Sequence, residues 1–323
     1  MAKVNMVLAF ESSCDETCAS VVREDLTVLS NIVASQIDIH KLYGGVVPEI
    51  ASRNHAMAIL PVCEQALAKA NVALDDITHI ASVTGPGLRG AVMVGEIFGR
   101  SLAVSRNLPF VAVNHLAAHI ASVAITNNVK PPFISLLVSG GHTALYNVKA
   151  WDKIELLCTT QDDAVGEAFD KVAKLLGLPY PGGVQIEKLA TGATTAERRI
   201  DLITFVKHPK HDAFSYSGLK TAVLGYVNRE KAANRPIDIP HICASFQHEA
   251  VMQLVMRSVE MMKKQDTKIL CVCGGVSANG YLREKMQYAV AQLGGRVFFP
   301  SLEYCGDNAA MAGVAAILNC KIG

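Results

Sequence analysis

Several features are absent from this 323-residue sequence, and each absence narrows the class of protein. No apolar run is long enough to cross a bilayer, and residues 1–5 lack the basic segment and cleavage site of a signal peptide. The nine cysteines show no C-x-x-C spacing, which favours reduced thiols over a disulfide framework. The formal net charge is only +1, too small for the strongly basic field of a stand-alone nucleic-acid binder. We therefore expect a soluble, cytoplasmic protein that contacts any polynucleotide through a local patch or a helper protein.

The sequence predicts an α/β fold in which the same strand-turn-strand unit occurs twice. Residues 6–12 are a short apolar run ending in polar turn residues, and strand-like segments follow at 18–23 and 26–37. A similar unit recurs at 133–148, where the turn SGGHT separates two apolar runs. The spacing of apolar residues predicts helices at 49–71, 163–176, 218–229 and 242–264. In the first of these, Pro61 either starts a second helix or kinks the first. The repeated start predicts a duplicated α/β fold with two lobes and a cleft lined by glycine loops.

Two histidines four residues apart, His115 and His119, form the sharpest candidate site. On a helix the two imidazoles project from one face and can bind the same metal ion, although the same spacing also fits a polar helix face. A catalytic site of this type needs a third ligand from elsewhere in the chain, usually a carboxylate. Asp307 is the candidate, because it lies in a glycine turn before the last predicted helix; an N-cap of that helix is the alternative role.

Two glycine-rich loops are candidate nucleotide sites. The loop GGVSAN, at 274–279, follows an apolar strand and precedes a helix, where glycine lets a ligand approach the backbone closely. It lacks the lysine of a Walker motif, but Asn279 can hydrogen-bond a ribose or a base edge. The loop at 139–143 offers a comparable anion cradle. A tight hairpin turn is the alternative for each loop.

Three further polar segments are candidates for substrate contact. Asp15 and Glu16 lie in a polar turn that either meets phosphate, metal or an incoming nucleophile or makes ordinary turn hydrogen bonds. Glu167 and Asp170, three apart on a predicted helix, either hold substrate hydroxyls or an amine or face solvent. The segment FSYSGLKT, at 214–221, interleaves aromatic, hydroxyl and basic side chains in a manner compatible with nucleic-acid contact.

Taken together, the segments resemble the bacterial tRNA threonylcarbamoyltransferase (TsaD) family, which also carries the historical name glycoprotease. The resemblance runs in order over nearly the whole chain. It rests on nine segments: ESSCDET (11–17), PEIASRNH (48–55), TGPGLRG (84–90), NHLAAH (114–119), LVSGGHT (137–143), GEAFDKVAKLLGLPYPGG (166–183), FSYSGLKT (214–221), GGVSANGYLR (274–283) and CGDNAAMAG (305–313). The combination is highly specific, whereas each motif alone is not.

The resemblance implies a fold and a reaction. The fold is the duplicated actin-like, sugar-kinase and heat-shock ATPase (ribonuclease H-like) α/β fold, with two lobes and a central cleft. We expect the lobes at 1–115 with 307–323 and at 116–306. Family members transfer the threonylcarbamoyl group from threonylcarbamoyl-AMP to the exocyclic amine of the adenosine 3′ of the anticodon, in tRNAs that read codons beginning with A. The same cleft would also suit ATP or ADP.

The resemblance also implies roles for individual residues and partners. His115, His119 and Asp307 would hold one iron(II) or zinc ion, and Asp15 and Glu16 would form the catalytic acidic turn. Substrate contacts would come from eight residues: Leu137, Val138, Ser139, Gly140, Gly141, Asp170, Gly183 and Asn279. The expected partners are tRNA, an inactive paralogue that forms a heterodimer and a small P-loop ATPase, with no membrane association.

Two rival functions follow from the same motifs. A zinc peptidase of the H-E-x-x-H kind needs a glutamate directly after its first histidine, and position 116 is leucine. A non-catalytic ATP-binding scaffold on the same fold would need neither the histidines nor Asp307. Substitution of His119 therefore distinguishes the transferase from the scaffold.

Overall fold

The computed structural model describes residues 5–191 and 213–322, which divide into two compact units. The first unit contains residues 5–132, 148–155 and 298–322, and the second contains 133–147, 156–191 and 213–297. The predicted lobes, 1–115 with 307–323 and 116–306, have other boundaries, although both divisions assign the carboxyl-terminal helix to the first part. The described residues form two five-stranded sheets.

The first sheet has the order β3-β2-β1-β4-β5. Its strands are β1 (Met6–Glu11), β2 (Glu16–Arg23), β3 (Val28–Ser35), β4 (His79–Gly85) and β5 (Phe110–Asn114). Strand β2 pairs antiparallel with both β1 and β3, whereas β1, β4 and β5 run parallel. The second sheet contains β6 (Phe133–Val138), β7 (Thr143–Ala150), β8 (Lys153–Thr159), β9 (Ile269–Cys273) and β10 (Arg296–Phe298).

The second sheet repeats the order of the first. Its strands lie in the order β10-β9-β6-β7-β8; read from the β8 edge, this is the order of the first sheet with five added to each strand number. Strands β6 and β9 are parallel, as β1 and β4 are. The duplicated α/β architecture expected from the two strand-turn-strand starts is therefore confirmed.

The helices follow the predicted segments with small shifts at their ends. In the described residues they are α1 (Ile37–His40), α2 (Pro48–Ala70), α3 (Arg89–Arg106), α4 (His115–Ala121), α5 (Val123–Thr126), α6 (Val165–Leu175), α7 (Gly182–Thr191), α8 (Ser217–Ala232), α9 (Ile239–Lys264), α10 (Gly280–Ala291) and α11 (Ala309–Leu318). Helix α2 runs through Pro61, so this residue does not start a second helix. Across these elements, no helix is long and apolar enough to span a membrane. All nine cysteines are free thiols.

Strand β1 is apolar from Met6 to Phe10 because both faces of the first sheet are covered. Val7 and Ala9 belong to the core cluster that includes α11, whereas Leu8 and Phe10 belong to the cluster formed with α2 and α3. A strand buried on both sides reads as a continuous apolar run and not as an alternating pattern. The polar residue that ends this strand, Glu11, is also buried.

Helix α3 approaches the sheet very closely. A Cβ atom added to Gly95 would lie 2.6 Å from the hydroxyl oxygen of Ser12, which already donates to the carbonyl of Ala91 and accepts from the N–H of Gly95. A Cβ at Gly99 would collide with the hydroxyl of Ser82. Glycine at these two positions therefore brings α3 into direct contact with Ser12, just after β1, and with Ser82 within β4.

Candidate active site

Both candidate histidines lie on a short helix that continues directly from a strand. Asn114 is the last residue of β5 and the N-cap of α4, where its side-chain oxygen accepts hydrogen bonds from the N–H groups of Leu116 and Ala117 at 2.9 and 3.1 Å. His115 therefore occupies the first turn, and His119 lies one turn later on the same face. The two buried rings are 4.6 Å apart between centroids and nearly perpendicular, at 76°.

Asp307 reaches the histidines from the loop before α11. Its carboxylate oxygen Oδ1 lies 3.0 Å from Nε2 of His119 and 3.9 Å from Nε2 of His115. The neighbouring Asn308 is the N-cap of α11, since its side-chain oxygen accepts a hydrogen bond from the N–H of Met311 at 3.0 Å. The helix-capping role considered for Asp307 is therefore taken by Asn308, and the Asp307 carboxylate lies beside the two imidazoles.

The three side chains are spaced as ligands of one cation would be. One donor atom of each residue lies within 4.8 Å of the others, and metal bonds of about 2 Å separate neighbouring ligand atoms by about 3–4 Å. His119 is fully buried, yet neither of its ring nitrogens has a hydrogen-bond partner, although Nε2 is close to Asp307. Such a buried imidazole is costly unless a further group completes it. Two imidazoles and a carboxylate form the donor set of catalytic zinc and iron(II) sites, so these residues fit a divalent metal ion.

A buried glutamate contacts the first histidine from behind. The side chain of Glu11 is fully buried, and its Oε2 lies 2.9 Å from Nδ1 of His115. Burial lowers the pKa of His115, but the negative charges of Glu11 and Asp307 outweigh burial and raise this pKa to about 9. Sequence reasoning did not identify Glu11; the available signal was a carboxylate at the end of an otherwise apolar strand.

The acidic turn between β1 and β2 lies in the same unit. Asp15 is buried, and Glu16, the first residue of β2, accepts a hydrogen bond from the hydroxyl of Ser35 at 3.1 Å. Burial and the charges of Asp15 and Asp307 raise the pKa of Glu16 to about 9. Glu16 is therefore protonated at neutral pH in the metal-free protein and hydrogen-bonds with Asp15. Because the charge of Asp307 contributes to this shift, the acidic turn and the histidine site share one electrostatic environment.

A buried histidine on α2 holds the acidic turn in place. Nε2 of His55 donates to the carbonyl oxygen of Cys14 at 3.0 Å, and Nδ1 lies 2.8 Å from the hydroxyl of Thr17. Burial lowers the pKa of His55, so the ring is neutral and Nδ1 accepts from the threonine. The backbone N–H of Gln36 donates to the carbonyl of Asp15 at 3.0 Å. The backbone is thus fixed on both sides of the acidic pair.

Removal of the Glu16 carboxyl should change how stability depends on pH. Because its pKa rises from 4.5 to about 9 on folding, the folded metal-free protein binds more protons than the unfolded chain between these values, and its free energy of unfolding falls as pH rises. We expect Glu16→Gln to lose this dependence and to gain stability relative to the wild type between pH 5 and pH 8. Urea unfolding at both pH values measures the change, with the exposed Glu49→Gln as the control. An equal stability difference at both pH values would contradict the raised pKa.

The loop at 139–143 is a tight turn between β6 and β7. The N–H of Ser139 donates to the carbonyl of His142 at 2.8 Å, and the N–H of His142 donates to the Ser139 hydroxyl at 3.1 Å. Gly140 and Gly141 are exposed, and a side chain at either position would meet no atom within 4 Å. The hairpin geometry considered from sequence is therefore present, and it leaves the backbone of both glycines accessible.

The second glycine loop packs against the end of β6. Leu137 and Val138, two of the predicted substrate residues, are fully buried in this strand. Gly274 has a left-handed φ of 89°, and a Cβ atom there would collide with the carbonyl oxygen of Val138. Only glycine fits this close approach of the two loops.

Both glycine loops line a cavity of about 210 Å³ in the second unit. Four of the eight predicted substrate residues line it: Gly140, Asp170, Gly183 and Asn279. Glu187, which was not predicted from the sequence, also lines the cavity and accepts a hydrogen bond from the N–H of Gly280 at 2.6 Å. The structure thus collects residues from four separate segments of the chain at one concave site.

The side chains of Asp170 and Asn279 bond to the protein itself. Asp170 accepts a hydrogen bond from the N–H of Gly182 at 2.7 Å. Asn279 is the N-cap of α10: its oxygen accepts from the N–H of Leu282 at 2.8 Å, and its amide nitrogen donates to Gln247 at 2.9 Å. If Asn279 contacts a ribose or a base as predicted, it does so with a side-chain amide that already caps α10 and donates to Gln247.

Two other polar candidates also bond within the second unit. Glu167 forms an ion pair with Lys171 at 2.8 Å on its own helix. In the FSYSGLKT segment, the hydroxyls of Ser215 and Ser217 both donate to Asp162 at 2.6 Å. These hydrogen bonds lie at the protein surface, just before and at the start of α8.

Comparison with known proteins identifies one family by sequence and one fold by structure. A family model described as tRNA N6-adenosine threonylcarbamoyltransferase (TsaD) matches residues 27–314. Proteins of that name from Geotalea daltonii and Clostridium perfringens are 48% and 46% identical over 309 and 315 residues, covering 96% of this chain and 90% and 91% of the relatives. Among solved structures, full-length HypF in its phosphate- and nucleotide-bound form is similar, with a TM-score of 0.64 at 14% identity, covering 98% of this chain and 55% of HypF. At that identity the likeness supports the actin-like ATPase fold alone.

Proposed function

The chain belongs to the tRNA N6-adenosine threonylcarbamoyltransferase (TsaD) family, and we propose that it transfers a threonylcarbamoyl group from threonylcarbamoyl-AMP to the exocyclic amine of an adenosine in tRNA. The acceptor is the adenosine 3′ of the anticodon in tRNAs that read codons beginning with A. The observation that carries this proposal is the convergence of His115, His119 and Asp307 in a chain that matches the family from residue 27 to residue 314.

His115, His119 and Asp307 are the proposed ligands of one iron(II) or zinc ion. Bound there, such an ion would act as a Lewis acid and as a template for the oxygens of the activated intermediate. Three protein ligands leave coordination positions for a substrate, as in catalytic sites of this type. The absence of a hydrogen-bond partner for either ring nitrogen of His119 supports this assignment.

Transfer needs no covalent enzyme intermediate, because the mixed carbamoyl-phosphate anhydride is already activated. The adenosine amine forms a bond to the carbamoyl carbon, the bond from that carbon to the phosphate oxygen breaks, and AMP leaves. Asp15 is our candidate for the acceptor of the proton that the amine loses. Burial and the charge of Asp15 raise the pKa of the Cys14 thiol well above its usual range, so this neighbouring thiol does not compete as a nucleophile.

The cavity of the second unit is the proposed site of the AMP moiety. Its glycines leave backbone groups open at Gly140 and Gly183, where a side chain would meet no atom closer than 4 Å. Open N–H groups at turns suit phosphate oxygens. The remaining predicted contacts, at Leu137, Val138, Ser139 and Gly141, belong to the strand end and turn beside Gly140 and would act through the backbone.

Reconstitution of the reaction tests the proposed function. The purified protein would be incubated with ATP, threonine, bicarbonate, unmodified tRNA and the candidate partner proteins, including the separate enzyme that makes the adenylate. After digestion of the tRNA, mass spectrometry should detect threonylcarbamoyladenosine only when this chain is present. Peptide cleavage by the purified chain, without tRNA modification, would favour the peptidase instead.

The proposed partners are tRNA, an inactive paralogue and a small P-loop ATPase. The heterodimer with the paralogue is supported by an apolar stripe on the outer faces of α2 and α3. This stripe consists of Met57, Leu60, Met93, Ile97 and Val104, each between 48% and 82% exposed. Several exposed apolar side chains on neighbouring helices are typical of a protein interface.

A charge placed in the apolar stripe should weaken the heterodimer. We expect Ile97→Glu to reduce affinity for the paralogue at least 10-fold, because a carboxylate would lose its water in an apolar interface. Met256→Glu on α9 is the matched control, since Met256 is 50% exposed and Ile97 is 54% exposed. Sedimentation of each variant with the paralogue measures the effect. Equal affinity of the wild type and Ile97→Glu would exclude this face as the interface.

A further inference from the structure

Glu11 occupies an unusual position for a carboxylate. It ends β1, an otherwise apolar strand of the first sheet, and its side chain is fully buried. One oxygen, Oε2, lies 2.9 Å from Nδ1 of His115, and the other accepts a short hydrogen bond from the backbone N–H of Ser13. Both oxygens are thus engaged, one with the histidine and one with the chain itself. Burial of a carboxylate costs free energy because the group loses its water, so a role that offsets this cost is expected in the contacts of Glu11.

The contacts of His115 divide its ring into two sides. Nδ1 faces Glu11 and also the hydroxyl of Ser13, at 3.2 Å. Nε2 faces the opposite way, 3.9 Å from the carboxylate of Asp307. A carboxylate accepts hydrogen bonds, so the nitrogen beside Glu11 carries the proton, and Nε2 is left with its lone pair when the ring is neutral.

The turn that follows Glu11 is held in place by the start of α3. The carbonyl oxygen of Ser13 accepts a hydrogen bond from the N–H of Leu88 at 2.8 Å, and a Cβ at Gly87 would lie 2.6 Å from the same oxygen. The strand end and the turn after it are therefore packed against the start of α3 with no spare space. Rotation of the imidazole would break the contacts of its Nδ1 with Glu11 and with the hydroxyl of Ser13.

We infer that Glu11 is a positioning residue that fixes the ring orientation and the Nδ1–H tautomer of His115, so that Nε2 is presented to a divalent cation. The inference rests on the proposed metal site. Outer-shell carboxylates of this kind orient the ligating histidine and increase its basicity, and their loss typically weakens metal binding 10–100-fold. Glu11 itself is not assigned as a ligand, because Oε2 lies on the side of the imidazole away from Asp307.

Zinc affinity of metal-stripped protein tests the inference directly. Competition with a chromophoric chelator would be measured for the wild type, Glu11→Gln and Glu11→Ala. We expect Glu11→Gln, which keeps the size and one acceptor oxygen, to bind zinc about 10-fold more weakly, and Glu11→Ala up to about 100-fold more weakly. The matched control is Glu230→Gln, which removes another buried carboxylate, one that pairs with Arg235 at 2.6 Å in the second unit. This control should bind zinc as the wild type does.

Two additional measurements separate positioning from simple loss of structure. Circular dichroism and thermal unfolding of the metal-free variants establish that Glu11→Gln is folded at the temperature of the titration. With cobalt(II) in place of zinc, the visible absorption bands report ligand geometry, and we expect Glu11→Gln to shift them where Glu230→Gln does not.

The outcomes distinguish this inference from the proposed function. If His119→Ala binds zinc as tightly as the wild type, the metal site itself is wrong. If His119→Ala loses zinc but folded Glu11→Gln retains wild-type affinity and an unchanged cobalt spectrum, the metal site stands and the role given to Glu11 is overturned.

Discussion

Replacement of His119 by alanine should abolish tRNA modification in a chain that still folds. The proposed metal supplies several kcal/mol of charge stabilisation, so its loss corresponds to a rate reduction of about 10³-fold or more. Neither ring nitrogen of His119 makes a hydrogen bond within the protein, so alanine breaks none, although the carboxylate of Asp307, 3.0 Å from Nε2, loses this neighbour. The structural cost is that of a small cavity, about 2 kcal/mol.

The measurement combines zinc content, unfolding and modified tRNA. A suitable control is His40→Ala, because His40 is equally buried in the first unit but its Nδ1 accepts a hydrogen bond from the N–H of Val47. We expect this control to retain zinc, whereas His119→Ala loses it. Full modification activity in folded His119→Ala would support the non-catalytic scaffold and remove the basis of the transferase mechanism.

Asp15→Asn should give the second-largest effect on the reaction. Loss of a general base typically costs 10²–10⁴-fold in rate. The asparagine keeps the size of the side chain, and the backbone hydrogen bond from Gln36 to the carbonyl of residue 15 remains. We therefore expect the rate at saturating substrate to fall about 10²-fold or more, with a change in zinc affinity smaller than that of His119→Ala.

Single-turnover kinetics with preformed threonylcarbamoyl-AMP measures this step without the enzyme that makes the intermediate. Asp25→Asn is the matched control, because Asp25 also lies in a turn of the first unit but pairs with Arg23 at the surface. A variant with the normal rate would exclude Asp15 as the proton acceptor and leave the base to be sought elsewhere.

The duplication of the fold could be predicted from the sequence because the central strands are covered on both faces. A strand covered on both faces carries few polar residues: β1 is apolar up to Glu11, and β6 is apolar except for Ser135. The histidine pair was readable for a similar reason, since its spacing of four is the period of a helix. Both signals are local: the duplicated fold is confirmed, and the structure places the two imidazoles side by side on α4.

The contacts that complete the site could not be read in this way. Glu11 and His115 are 104 residues apart, and neither segment carries a periodic signal that links them. Asp307 and Asn308 are both good helix caps, so local preference could not decide which one caps α11 and which one faces the histidines. The course of α2 through Pro61 also depends on tertiary packing, because its inner face is buried on both sides of the proline, at Ile59 and Val62.

The glycines of α3 have a consequence for how this helix accepts change over evolutionary time. On its inner side, Gly95 and Gly99 touch Ser12 and Ser82 so closely that even one added methyl group has no room. On its outer side, Ile97 faces solvent. We therefore expect substitutions on the inner side of α3 to be excluded by steric clash. On its outer side, we expect substitutions to be restricted only by a molecule that binds there.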